Sequence, residues 1–170
     1  MCSSDLRRPD ARLVLAGGHP DQVAKARDQA RAAGIEAIAV FTGERPAAEI
    51  PSYLLAADLL VSPRSRGTNT PLKIYQYLRS GKAIVATRLL THTQVLSDDT
   101  AILTGVTPED YAGGILAGLG DVARAAAIGN RARELAETKY SYAAYLDKTR
   151  QACDALFPAP PAGDVVKDVA

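Results

Sequence analysis

The stretch richest in chemistry runs SPRSRGTNTPLKIYQYLRSGKAIVAT, from Ser62 to Thr87. Within it Gly67, Thr68, Asn69 and Thr70 are followed at once by Pro71 and Leu72, and then by Lys73. Hydroxyls, free backbone N–H groups and an ammonium at the start of a helix suit an anion such as a phosphate. They offer donors to its oxygens, an opposite charge, and a helix dipole contributing roughly 0.3 to 1 kcal/mol. The same residues also suit a capped crossover helix with a solvated lysine, and the residues alone leave both readings open.

The elements that must position this stretch are legible around it. Leu59–Val61 and Ile84–Ala86 are short apolar runs of the kind that form strands buried on both faces of a parallel sheet. Thr70 is placed to cap the intervening helix, Pro71 to open it and Gly81 to close it. At about 100° per residue, Ile74, Tyr75 and Leu78 share a face that packs on the sheet, while Lys73, Gln76, Tyr77 and Ser80 share the opposite one. The polar loop Arg64–Thr70 then lies at the carboxyl end of a strand, where parallel α/β sheets bind ligands.

Composition narrows the function classes. The 170 residues suffice for one α/β domain with a core. A net charge of +1 argues against nucleic acid and against adhesion to an anionic membrane, and 5% aromatic content without Trp argues against a stacking platform. Cys2 and Cys153 have no CxxC or Cys/His spacing, so neither a disulfide framework nor a zinc site is expected. Asp98-Asp99 is adjacent rather than spaced as Asp-x-Asp and reads as a turn. No apolar run approaches the roughly 18 residues of a membrane span, and MCSSDLRRPD offers no signal peptide. A cytoplasmic location is expected, free or peripheral at the inner face of the membrane.

In chain order, residues 1–10 read as a leader or cut end, 11–157 as one domain, and 158–170 as a disordered Pro-rich tail. Arg12–Ala16 is the first strand, and Asp21 caps a helix running through Ala33 and ended by Gly34. The intervening Gly17-Gly18 lacks the GxGxxG spacing and by itself reads as a turn needing positive φ. Ala37–Phe41 is the second strand, followed by a helix containing Ile50, Tyr53, Leu54 and Ala57. Thr91–Leu96 reads as a short helical turn and Ala101–Leu103 as a further strand. Pro108 opens a helix that Gly113 and Gly114 weaken, and Asp121–Lys139 forms the next one. Ser141 caps a last helix, whose stripe of Tyr142, Tyr145, Leu146, Thr149, Cys153 and Leu156 is expected to pack on the domain body. The alternation predicts a Rossmann-like three-layer α/β domain with a parallel sheet, right-handed crossovers and C-terminal helices.

The pieces VLAGG, AVFTGE, AADLLVSP, GTNTPLKIYQYLRSGKAIVATRLLTHTQVL and ARELAETKYSYAAYLDK, in this order, resemble the C-terminal half of glycosyltransferases of the GT-B fold, in particular the retaining enzymes called family 4. The resemblance covers roughly residues 12–156, and its middle piece is the specific one. In that family this half binds the nucleotide-sugar donor. The resemblance implies that Gly17 and Gly18 lie near the diphosphate or sugar, and Gly43, Glu44 and Arg45 beside the base. It places Thr68, Asn69 and Thr70 at the diphosphate or donor sugar with Lys73 close by, Gly67 and Leu72 belonging to the same motif. Where the family commonly has a ribose-binding glutamate, this chain has Gln76, which accepts a hydrogen bond without charge assistance. The acidic residue common before the loop glycine is replaced by Arg64, Ser65 and Arg66.

In the two-domain enzymes an Arg and a Lys that neutralise the diphosphate lie upstream of the strand matching Arg12–Ala16, as does the acceptor domain. This chain starts too late to contain them, and Arg7 and Arg8 do not match the motif. The implied function is the donor-binding domain of a glycosyltransferase moving a sugar from a UDP- or GDP-sugar to an unknown acceptor, without metal or cofactor. An acceptor domain would be its partner in cis or in trans, and the isolated chain is expected to be inactive. No catalytic residue is assigned, because lone loop histidines such as His19 and His92 are more often structural. One alternative is a non-catalytic nucleotide or nucleotide-sugar module, as in half of a split transferase. A flavodoxin-like or receiver-type interaction domain ranks last, for want of an acidic cluster or a flavin loop.

Overall fold

Short apolar strands, each followed by a helix, dictate parallel pairing, because a chain that leaves a strand through a helix returns running the same way. In the computed structural model, which describes residue 8 and residues 10–157, the order is β1 (Leu13–Ala16), α1 (Pro20–Ala32), β2 (Ala39–Gly43), α2 (Ile50–Ala56), β3 (Leu59–Ser62), α3 (Lys73–Ser80), β4 (Ala83–Thr87), α4 (Leu90–Thr93), β5 (Ile102–Thr104), α5 (Pro108–Gly120), α6 (Val122–Lys139) and α7 (Tyr142–Leu156). The expected tail lies outside the described residues, as do residues 1–7 and 9 of the expected leader.

Every strand pair is parallel. β1 pairs with β2, and β3, β4 and β5 form a second group with β4 in the middle. Burial follows that order. All five residues of β4 are buried, whereas in β1 Leu13, Val14 and Leu15 are exposed despite being wholly apolar. The parallel α/β architecture expected from the alternation is therefore present, hydrogen-bonded in two groups of strands.

The core is built on the second group. Ile74 and Leu78 of α3 and Ala132 and Ala136 of α6 close over Ile84 and Ala86, with Leu96 and Ala101 completing the cluster. On the other side α5 lies close to the strands through its glycines. A Cβ on Gly114 would overlap Thr104 Cγ2 and stand 3.2 Å from Val85 Cγ1, and one on Gly118 would stand 2.8 Å from Leu59 Cδ1. Gly114 is thus a site of close approach as well as the helix weakener expected from propensity.

Several boundaries moved for local reasons. His19 rather than Asp21 precedes α1, because Pro20 takes the first helical position; the His19 N–H donates to Gln22 Oε1 at 3.0 Å. β2 starts two residues later than expected, after a single 3₁₀ turn at Glu36–Ile38. α3 starts at Lys73, not at Pro71. The N–H groups of Ile74 and Tyr75 donate to the carbonyls of Pro71 and Leu72, tightening the entry into a turn, and the Thr70 side chain caps nothing. Gly81 does close α3, at φ +70° with its N–H on Leu78 O.

The larger correction is α7. Ser141 caps it as expected, its hydroxyl accepting from Ala144 N–H, but none of its residues is buried and Tyr142 and Leu156 are about three-quarters exposed. Tyr140, edge-on to Tyr75 with ring centroids 5.2 Å apart, already covers the end of the core. The Tyr142 and Tyr145 rings stack on each other instead of on the body. Among the described residues no single helix is long and apolar enough to cross a membrane.

Candidate functional site

The carboxyl ends of parallel strands carry loops whose donors are not used by the sheet, and here two sets of such loops hold the expected residues. At the first, Gly17 and Gly18 leave β1 at φ +107° and +95°, backbone that side chains rarely adopt, and the Gly17 N–H donates to Gly43 O at 2.9 Å. This hydrogen bond ties the double glycine to the end of β2. Glu44 follows and pairs with His19, Nδ1 to Oε1 at 2.9 Å across an exposed surface. Gly18, Arg27, Phe41, Gly43 and Glu44 line an open concavity of about 500 Å³, with the Arg27 guanidinium 5.1 Å from the Phe41 ring centroid. Arg45 is exposed beside it.

The second set is the loop between β3 and α3. Gly67 adopts φ +125°, and a Cβ there would sit 3.1 Å from Arg64 Nη1, so the guanidinium lies under the loop. Lys73 projects from the first turn of α3 with its Nζ 5.5 Å from the Tyr77 ring centroid. Partial desolvation first, and then the charge of Arg64, hold the Lys73 ammonium below the usual lysine range. Among the described residues neither cation has an acidic partner. Two positive charges are thus gathered at one loop without the carboxylates that ordinarily accompany them.

α4 forms the floor of this loop. The Thr91 hydroxyl, itself fully buried, donates to Asn69 O at 2.6 Å, and Gln94 Nε2 donates to Thr68 O at 2.5 Å. The Arg64 N–H donates to Thr87 Oγ1 at the end of β4. His92 joins the strand ends below. Its Nδ1 lies 2.8 Å from Thr87 O and therefore carries the proton, leaving Nε2 to accept from the Ser62 hydroxyl at 3.0 Å. Burial, with lesser contributions from Arg64 and Lys73, keeps this imidazole below its ordinary range and hence neutral. With both nitrogens engaged and no exposure, His92 is a structural hub, as its isolation in the sequence suggested.

Gln76, one turn along α3 from Lys73, lines a groove of about 380 Å³ between α2 and α3 with Ile50, Leu54, Leu55, Arg79 and Ser80. Leu72 is 82% exposed, an apolar residue beside the loop without a protein partner for its surface. The structure therefore brings Gly67, Thr68, Asn69 and Thr70 together with Lys73, and Gly17 and Gly18 together with Gly43 and Glu44. Among the described residues no hydrogen bond or ion pair joins the two sets. Thr91 and Gln94 were expected only as part of a short helical turn, with no role at the loop, although a run of hydroxyl and amide residues, THTQ, shortly after a strand's carboxyl end is a usable signal. No group of three or more His, Cys, Asp or Glu with metal-binding geometry occurs among the described residues.

The comparisons with known proteins bear on the same fold. HepE from Anabaena, solved in complex with UDP, superposes with a TM-score of 0.77 at 21% identity, over 86% of this chain and 42% of that one. Sucrose-phosphate synthase from Thermosynechococcus elongatus gives 0.80 at 19% identity, over 94% and 42% respectively. The C-terminal domain of a group 1 glycosyl transferase, LpcC from Francisella tularensis, gives 0.69 at 21% identity, over 82% and 74%. The fold is that of the C-terminal half of GT-B glycosyltransferases, and the chain spans about 42% of the length of HepE. No curated protein matches. The sequence pattern of the family described as "Glycosyl transferases group 1" matches residues 2–121, well over half of the chain, and this protein belongs to that family.

Proposed function

We propose that this chain is the donor-binding half of a glycosyltransferase, holding a nucleotide-diphosphate sugar while an acceptor is presented by another half. The observation that carries the reading is the convergence of Arg64 and Lys73, without carboxylates, on the loop 64–70 at a strand's carboxyl end. Partial desolvation first, and the like charge of Arg64 second, disfavour the Lys73 ammonium, and a diphosphate at the loop would offset both. In transfer, the bond between the anomeric carbon and the diphosphate breaks. Lys73, the hydroxyls of Thr68 and Thr70, and loop N–H groups would stabilise the charge that develops on the leaving group.

Gly17, Gly18, Gly43, Glu44 and Arg45 would bound the donor on the β1–β2 side, and Gln76 would offer its amide oxygen to the ribose. HepE was solved with UDP, so UDP is the first nucleotide to try, with GDP beside it. Retention of configuration stays tied to the family 4 likeness.

The test is calorimetric titration of the 170-residue chain with UDP, GDP and ADP. Saturable binding of one nucleotide is expected, with Lys73→Ala weakening it by about 1.5 to 3 kcal/mol, the range for a hydrogen bond to a charged group. Equal affinity of wild type and variant would remove Lys73 from the site. The reading as a module that binds without catalysing is separated by an activity assay with and without an acceptor-domain partner.

A further inference from the structure

The two side chains of the α4 region that meet the loop both meet carbonyls, and both from the same side. Gln94 holds Thr68 O and Thr91 holds Asn69 O, so two consecutive peptide oxygens of the loop are turned toward α4. A trans peptide is planar, with its N–H pointing opposite to its C=O. The N–H groups of Asn69 and Thr70, which share those two peptide planes, are therefore turned away from α4. Among the described residues neither finds an acceptor.

Left to itself, an exposed loop of this composition would sample both orientations of each peptide. Among the described residues no side chain of residues 65–70 makes a hydrogen bond that would select one, and α3 begins only at Lys73. Selection falls to Thr91, which has no exposure and no freedom to follow the loop, and to Gln94 beside it. Thr91 is fixed by α4, and α4 is fixed in turn by the buried His92 between Ser62 and Thr87. The Arg64 N–H on Thr87 Oγ1 anchors the loop's other end to the same assembly.

We propose that Thr91 and Gln94 are positioning residues of the donor site, which preset two successive backbone N–H groups, those of Asn69 and Thr70, to receive the diphosphate. The proposal rests on the donor-binding reading above and adds residues that touch the ligand only through the loop. Its energetic content is preorganisation. Without the two carbonyl contacts, the loop must be ordered when the anion binds, and affinity falls by the cost of that ordering.

The test titrates ¹⁵N-labelled full chain with UDP and, separately, with uridine, following the amide resonances. In wild type the Asn69 and Thr70 amides are expected to shift with UDP and not with uridine. Thr91→Val and Gln94→Met are expected to weaken UDP binding by about tenfold, the loss of roughly one hydrogen bond to a charged group, with uridine binding unchanged. Thr91→Ser should restore most of the affinity. Thr149→Val, which removes a comparable hydroxyl on α7 that donates to Tyr145 O, should match wild type. Unchanged UDP affinity in Thr91→Val and Gln94→Met, or parallel losses for UDP and uridine, would overturn the positioning role while leaving the donor site standing. A wild-type chain whose loop amides ignore UDP would overturn the donor site and this inference together.

Discussion

Gly113 and Gly114 are adjacent in α5 and identical by propensity, yet the structure gives their replacement by alanine opposite signs. A Cβ on Gly113 meets nothing within 4 Å, whereas one on Gly114 overlaps Thr104 Cγ2 and crowds Val85 Cγ1. Each substitution gains about 1 kcal/mol from helix propensity and reduced chain entropy. Only at Gly114 is this opposed by overpacking of about 1 to 3 kcal/mol, because Thr104 and Val85 belong to strands that α5 cannot leave without opening the core. Gly113→Ala should therefore stabilise, and Gly114→Ala should be neutral to destabilising by about 2 kcal/mol. The propensity gain cancels in the difference, which isolates the packing term at about 1 to 3 kcal/mol, or roughly 2 to 12 °C in Tm for a domain of this size. Urea and thermal denaturation of both variants read it directly. Equal stabilisation by the two would mean that α5 can ride away from β4 and β5, and that the close approach is not a constraint.

His92 is neutral in the fold and held below its ordinary range, so the unfolded chain binds the extra proton first. Stability is then complete above the unfolded value near pH 6.5 and falls as pH drops from there toward the folded value. A Tm series from pH 7.5 to 5 should show this slope, and His92→Gln, though less stable throughout, should flatten it; an unchanged slope would assign the titration elsewhere. Gly81→Ala puts a Cβ at φ +70° against the Arg133 guanidinium, which donates to Ser80 O, and should cost about 1 to 2 kcal/mol in urea unfolding. Tyr145→Ser on the exposed face of α7 should change stability by less than about 0.5 kcal/mol, where a packed tyrosine would cost several times more.

Much of the site was legible because its signals are local. Gly81 closes α3 where a left-handed residue was required, Ser141 opens α7, and Ile74 and Leu78 are the buried face that their spacing implies. The loop 64–70 was recognisable by its hydroxyls, its glycine and the nearby lysine, and the strand–helix alternation led to parallel pairing. The entry to α3 was misread because Thr70 and Pro71 have the right types for a cap and first residue, while the chain instead uses a tight turn through Leu72. The stripe on α7 was misread because helical spacing shows that a face is apolar, not that anything lies against it.

By itself the sequence determined the order and kind of the elements, the ends of several helices and the place of the anion-suited loop, because dihedral preference and hydrophobic period act over a few residues. The tertiary structure decided which way the loop's peptides face, which of two neighbouring glycines is held to close packing, and that His92 is a hub rather than a base. Each of those depends on partners beyond the reach of local signals, Gly114 on Thr104 and Val85, Thr91 on Asn69 and His92 on Ser62 among them. Only the packing of α4 and α5 against the strands brings such partners within hydrogen-bond or van der Waals distance.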